Sequence, residues 1–127
     1  MSIANGAKVV TIIHTRDPAK AKAFYGDVLG FPLVAEDGFA TIVDLNGIAL
    51  RITRIENHVA NPHTVLGWDV PDMAAAVSAL AAKGVNLEVY PGFGQDAQGV
   101  WTSPDGKAKV AWFLDPDGNN LSLTQRL

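Results

Sequence analysis

The stretch AWFLDPDGNNLSLTQ, Ala111–Gln125, sets two apolar runs on either side of Asp115-Pro116-Asp117-Gly118. Asp, Pro and Gly in that order read as a tight turn, so the stretch predicts two strands joined as a hairpin. An earlier stretch, IVDLNGIALRIT, Ile42–Thr53, repeats the pattern. With Asp44-Leu45-Asn46-Gly47 laid over Asp115-Pro116-Asp117-Gly118, Leu50 falls on Leu121, Ile52 on Leu123 and Thr53 on Thr124. Between these matched positions the copies disagree: Arg51 stands in one and Ser122 in the other.

Working outward, each hairpin closes a longer repeat. The first copy opens with a Val/Ile/Thr-rich strand near Lys8–Thr15. Asp17-Pro18 then starts a helix, the Asp as cap and the Pro at the first helical position. Ala21, Phe24 and Val28 recur at helical spacing as far as Leu29, and Gly30 suits the left-handed position beyond the last turn. Phe24 and Tyr25 read as helix–sheet core. Three strands follow, near Phe31–Glu36, Phe39–Asp44 and Ile48–Arg54, with turns at Asp37-Gly38 and Asn46-Gly47. The second copy has a strand at Val65–Val70, an Asp72-capped helix from Met73 to Lys83, and strands near Asn86–Tyr90, Gly99–Thr102, Ala108–Leu114 and Asn120–Thr124. The helix caps lie 55 residues apart and the final turns 71, so the second copy carries 16 extra residues. They fall in Pro91–Gly106, a Gly/Pro-rich segment holding Phe93 and Trp101. It reads either as a loop over a pocket or as a long hairpin with an added edge strand. The expected fold class is therefore α+β: two tandem βαβββ modules, 8–54 and 63–127, joined by a linker at 55–62 within a single domain, 1–127. The modules are expected to form a curved mixed sheet with a concave ligand cup and helices on the convex side. Neither ~60-residue half buries enough surface to be stable alone.

Composition narrows the function. The chain has 127 residues, 48% of them hydrophobic, and a net charge of −3. Acids and bases are interspersed without the basic stripe that a nucleic acid requires. No apolar run approaches the ~18 residues of a membrane span. Cysteine is absent, which removes disulfides, thiolate ligands and a cysteine nucleophile. The opening MSIANGAKVV lacks a signal-peptide pattern, and the expected location is cytoplasmic.

Two βαβββ units, with FYGDVLGF ending the first helix and FLDPDGN before the last strand, resemble the vicinal oxygen chelate superfamily. This is the glyoxalase, bleomycin-resistance and extradiol-dioxygenase group. The resemblance implies metal ligands (His, Glu or Gln) seven residues before each cap Asp or seven after each turn Asp. Here those positions hold Val10, Val65, Arg51 and Ser122. Valine has no lone pair to give, Arg is cationic, and a lone hydroxyl is a poor ligand. No metal and no other cofactor is expected.

Strand alternation gives the expected cup lining: Val10, Ile12, His14, Val65, Gly67 and Asp69 from the first strands, and Arg51, Thr53, Asn120, Ser122 and Thr124 among those from the last. The resemblance adds positions three and five before each turn Asp, which are Thr41, Phe39, Trp112 and Val110. The expected ligand-binding set is His14, Phe39, Thr41, Arg51, Val110, Trp112, Ser122 and Thr124. Arg51 would answer a carboxylate or phosphate, or else pair with Asp69 or Glu36. Trp112 would stack on a ligand or pack in the core. His14 and Asp69 are the candidates for proton transfer. His58 and His63 read as solvated, Trp68 as packed beneath its helix, and Asp115 and Asp117 as turn residues. Gly92-Phe93-Gly94 lacks the spacing and setting of a phosphate loop. The expected function is metal-independent binding of a small aromatic or acidic molecule, similar to bleomycin-resistance-type proteins. The alternative is a glyoxalase-like lyase or isomerase. A homodimer is implied by analogy, with no nucleic-acid or membrane partner.

Overall fold

The computed structural model describes residues 2–127. The chain divides into two compact units, one ending at His58 and the other beginning at Val59. Each contains a four-stranded mixed sheet, and the fold class is α+β. Among the described residues, no helix is long and apolar enough to cross a membrane.

In the first unit, β1 (Val10–Thr15), β2 (Leu33–Glu36), β3 (Ala40–Asp44) and β4 (Ala49–Arg54) pair in the order β1-β4-β3-β2, with β1 parallel to β4. The parallel pair needs a long connection, which begins with helix α1 (Pro18–Ala23). The Asp17 carboxylate accepts the Lys20 N–H at 3.3 Å, as a helix cap should. Phe24–Val28 then widens into a π-helical turn, in which the Leu29 N–H donates to the Phe24 carbonyl at 2.9 Å. The wider turn ends at Gly30, with φ +83°. Phe24 and Tyr25 are buried, and α1 lies against β3 and β4. The sheet face that meets them carries Ile13, Thr15, Thr41, Val43, Leu50 and Ile52, all buried.

The second unit repeats the order as β5-β8-β7-β6, from β5 (Thr64–Asp69), β6 (Trp101–Thr102), β7 (Ala108–Leu114) and β8 (Asn120–Arg126). Helix α2 (Met73–Ala82) is capped by Asp72, which accepts the Ala75 N–H at 3.1 Å. Its first N–H, at Met73, donates to Gln125 Oε1 at 2.7 Å and ties the helix start to β8. Met73, Val77 and Leu80 are buried, as are Ala111, Phe113, Leu121 and Leu123 of the sheet. Trp68 stacks on Phe113 with ring centroids 6.4 Å apart, on this same helix-side face.

Two sequence expectations need correction. No strand forms at Asn86–Tyr90; the segment makes a single main-chain bond to β7, from the Glu88 N–H to the Trp112 carbonyl at 2.7 Å. The reason is Gln95. Its side-chain amide accepts the Tyr90 N–H at 2.7 Å and donates to the Glu88 and Gly99 carbonyls at 2.9 and 2.7 Å. Main-chain groups that a strand would give to a neighbour are taken by one side chain. The edge strand expected at Gly99–Thr102 shrinks to Trp101–Thr102, so Pro91–Gly106 is a braced loop followed by a short edge strand.

The second correction concerns register. The Asn46-Gly47 turn is a two-residue hairpin, with φ +59° and +107° and the Leu45 N–H bonded to the Ile48 carbonyl at 2.8 Å. The later turn spans three residues, Pro116-Asp117-Gly118, between the paired Asp115 and Asn119, with φ positive at Gly118. These are the two shortest favoured hairpin loops, and they differ by one residue. Consequently Arg51 pairs with Ile42, whereas Ser122 pairs with Trp112. The overlay that holds after the turns slips by one position before them.

The turn acids carry unequal loads. Asp115, 5% exposed, accepts the N–H groups of Asp117 and Asn119 at 2.9 and 3.0 Å and the Asn119 amide at 2.8 Å. Asp44 accepts only the Gly47 N–H, at 2.6 Å, near the surface. Replacing Asp115 by Ala should cost about 2–3 kcal/mol in urea unfolding, and Asp44→Ala below about 1 kcal/mol. Equal losses would contradict this difference.

Candidate functional site

Directly paired residues on neighbouring strands project to one face. In the second unit, the face away from α2 therefore carries Trp101 beside Val110 and Thr124, and Trp112 beside Ser122 and Gly67. Gly67 leaves room for the Ser122 hydroxyl: a Cβ at that position would come 2.5 Å from Ser122 Oγ, which would have to turn aside.

An aromatic cluster stands on this face. Trp112 meets Tyr90 and Phe93 edge-on, with centroids 5.7 and 5.4 Å apart. Trp101 lies 6.4 Å from Trp112 and 5.7 Å from Phe93. Edge-to-face pairs at such separations each add about 0.5–1.5 kcal/mol beyond their burial. Phe93 rides on the loop that Gln95 braces, and the Asp96 carboxylate holds the Gln98 and Val100 N–H groups at 2.9 and 3.0 Å. A recess of about 350 Å³ opens among Pro62, Thr64, Tyr90, Phe93, Trp112 and Asn120. His63 lines it too. Asn120 is buried at its floor and donates to Tyr90 Oη at 2.9 Å while accepting from Thr64 Oγ1 at 3.0 Å. A larger recess, about 420 Å³, sits on the helix side of the first unit near Lys22, Asp27, Phe31 and Leu33. It has neither an aromatic cluster nor a buried polar network.

The open face of the first unit is different. Ile12, Arg51 and Ile42 lie in one cross-strand row, and His14, Thr53 and Ala40 in the next. Arg51 is exposed. Glu36 pairs instead with Lys22 at 3.0 Å, and Asp69 lies 3.8 Å from Arg126, so neither acid considered for Arg51 is held by it. The Arg51 charge does reach Asp37. The Phe39 N–H and then the Ala40 N–H hold the Asp37 carboxyl below its ordinary pKa, and Arg51 adds a smaller pull in the same direction. His14 is exposed, with its ring 5.7 Å from that of His58.

Two expected positions are corrected here. Thr41 pairs with Ile52 and is 2% exposed, on the helix-covered face rather than the open one. The two-residue turn brings Ile42 and Ala40 into step with Arg51 and Thr53 instead. Phe39 lies outside β3, in the turn braced by Asp37, and is 83% exposed. Val110, Trp112, Ser122 and Thr124 do lie on the open face of the second unit, as do Arg51 and His14 on that of the first. Tyr90, Phe93, Trp101 and Thr64 were not singled out from sequence. Two of them, Phe93 and Trp101, were the aromatics of the inserted segment, which was the available signal.

The positions where the resemblance implies metal ligands do not fit a divalent ion. Val10 is aliphatic, Arg51 is cationic, and Val65 is the extra residue of a bulge between Thr64 and Leu66. Ser122 alone offers oxygen. Among the described residues, no three His, Cys, Asp or Glu side chains gather as a metal-binding group.

The sequence model of the Glyoxalase/Bleomycin resistance protein/Dioxygenase superfamily matches residues 8–123. No curated protein matches significantly. Among solved structures, the fosfomycin resistance protein FosX from Listeria monocytogenes is similar at TM-score 0.74 and 11% identity, covering 96% of this chain and 94% of that one. A lactoylglutathione lyase from Agrobacterium tumefaciens gives 0.71 and 19%, covering 94% and 93%. A glyoxalase/bleomycin resistance protein/dioxygenase from Alicyclobacillus acidocaldarius gives 0.71 and 17%, covering 96% and 92%. At such identities the likeness concerns the fold.

Gln95 makes three bonds across the loop that carries Phe93. Gln95→Ala should destabilise this segment by about 1–3 kcal/mol and speed hydrogen exchange at the Tyr90 amide. Unchanged exchange there would show that the loop is held by other contacts.

Proposed function

This chain belongs to the Glyoxalase/Bleomycin resistance protein/Dioxygenase superfamily, and from that premise we propose that it binds a small, planar, ring-bearing molecule without a metal ion. The observation that carries this reading is the recess of about 350 Å³ walled by Tyr90, Phe93 and Trp112. Its size falls in the range of small-molecule sites, and its walls combine three aromatic side chains and a proline with a few polar groups, as such sites do. A ring entering the recess exchanges water for π-faces and edges, which gives both burial and directional contact.

In this reading Trp112 is the principal contact, with Val110, Ser122 and Thr124 on the same face. Separately, on the open face of the first unit, Arg51 is proposed as a contact for an acidic group, with His14 on that same face as a second polar contact. A guanidinium that forms no ion pair among the described residues, and exerts only a weak pull on Asp37, suits that task. Two of the structural neighbours are a lyase and a resistance protein, which suggests two roles. Sequestration is the reading favoured here, because Val10, Arg51, Val65 and Ser122, at the positions implied for metal ligands, do not make a site for a Lewis-acidic ion. Asp69, the other proton-transfer candidate, is exposed beside Arg126. We further take the protein to be a cytoplasmic homodimer. Val10 and Ile12, 48% and 55% exposed on the open face of the first unit, are apolar surface that a second copy would cover.

Tryptophan fluorescence tests the proposal. A panel of planar aromatic acids and ketones should include compounds that quench saturably, whereas aliphatic acids of equal size should not. Quenching should persist in EDTA, and Trp112→Ala should weaken it by about tenfold, or ~1.4 kcal/mol. Binding abolished by the chelator, or no aromatic ligand at all, would contradict the proposal.

A further inference from the structure

We propose that Tyr90 is the hydrogen-bond donor of this recess, aimed by Asn120, so that the recess selects rings bearing an acceptor such as a ketone carbonyl. The inference rests on the reading that the recess takes a planar ring, and adds to it which ring substituent is recognised.

One buried amide sets the direction of the Tyr90 hydroxyl. Asn120 is 5% exposed, and both its amide nitrogen and its amide oxygen are engaged. Its Oδ1 accepts from Thr64 Oγ1 at 3.0 Å. Its Nδ2 faces Tyr90 Oη at 2.9 Å and the Pro62 carbonyl at 3.4 Å. The Pro62 oxygen can only accept, so the amide edge that faces it must be the NH₂ edge; the flipped amide would set two acceptors together. The NH₂ group therefore donates to Tyr90 Oη as well. A phenol oxygen that accepts one hydrogen bond still carries its own proton. Among the described residues, the Tyr90 hydroxyl has no other hydrogen-bond partner. Its proton is thus free to donate, directed away from Asn120, from a side chain that lines the recess.

The ring cannot easily turn from this task. Trp112 meets it at 76° and Phe93 at 66°, and the Tyr90 N–H is held by Gln95 Oε1 at 2.7 Å. A hydroxyl held by its neighbours before the ligand arrives has little ordering entropy left to lose on binding. Thr64, the other hydroxyl on the wall, spends its proton on Asn120. An acceptor seated against the aromatic walls would meet Tyr90 Oη at about 2.7 Å, whereas a ligand with only donors or hydrocarbon there would leave the phenol proton unanswered. Tyr90 is accordingly a ligand-contacting residue. Asn120 is a positioning residue, acting through it.

Two probes of matched shape separate recognition of the carbonyl from recognition of the ring: methyl naphthyl ketone, and isopropenylnaphthalene, in which a methylene replaces the carbonyl oxygen. Tyr90→Phe, which keeps the ring, should weaken the ketone about fivefold and leave the hydrocarbon within about twofold. Asn120→Asp, checked for folding by circular dichroism, should act alike, because a carboxylate only accepts and would draw the phenol proton to itself. His63→Ala should keep the wild-type ratio of the two affinities. Equal effects of Tyr90→Phe on both probes, or a ratio that moves with His63→Ala instead, would overturn the inference while leaving ring binding intact. If neither probe binds the wild-type protein, the aromatic-recess reading fails and this inference fails with it.

Discussion

Hairpin register is the constraint on which the rest of the structure depends. Side chains alternate along a strand, so one residue more or less in a turn transfers a whole strand from one face to the other. Asn46-Gly47 makes the shorter turn and Pro116-Asp117-Gly118 the longer. Each is locked by its own chemistry, two successive positive φ values in one case and a single positive φ at Gly118 in the other. The buried faces stabilise that choice. A slip in β3 would expose Val43 and Thr41 and turn Ile42 under the helix, and each large side chain moved from core to water costs about 1.5–3 kcal/mol.

Divergence between the repeats follows from this register and from the inserted segment. On its open face the first unit sets a cation between aliphatics, Arg51 between Ile12 and Ile42. At the corresponding places the second unit has Ser122 between Gly67 and Trp112. The insertion then adds Phe93, Trp101 and the brace Gln95. A position where relatives by resemblance would hold a ligating side chain is thus filled in one unit by a charge that repels metal. In the other it is a small hydroxyl beside a glycine, flanked by rings. The aromatic recess belongs to the second copy alone among the described residues, and its loop depends on the Tyr90 N–H and the Glu88 and Gly99 carbonyls being satisfied by one glutamine.

Much of the fold could be read from the chain because local signals agreed with the tertiary outcome. Asp17-Pro18 and Asp72 cap their helices, and the glycine turns fall between alternating runs. The shift at β3 was hidden because DLNG and DPDG look alike, and only the closing bonds distinguish a two-residue turn from a three-residue one. That is why Thr41 lies on the helix-covered face while Trp112, in the same nominal position of the overlay, lies on the open one. The missing strand at Asn86–Tyr90 was invisible for a different reason. Its sequence suits a strand, but a side chain seven residues downstream occupies its hydrogen-bonding groups. Tyr90 and Asn120 became legible as a pair only when β8 and the loop were brought together, since they are 30 residues apart.

The claim of a one-residue difference in register is open to direct measurement by main-chain cross-strand contacts in NMR. Arg51 should face Ile42 across the first hairpin, and Ser122 should face Trp112 across the second. Contacts placing Arg51 opposite Thr41 would give the two hairpins the same register and contradict it.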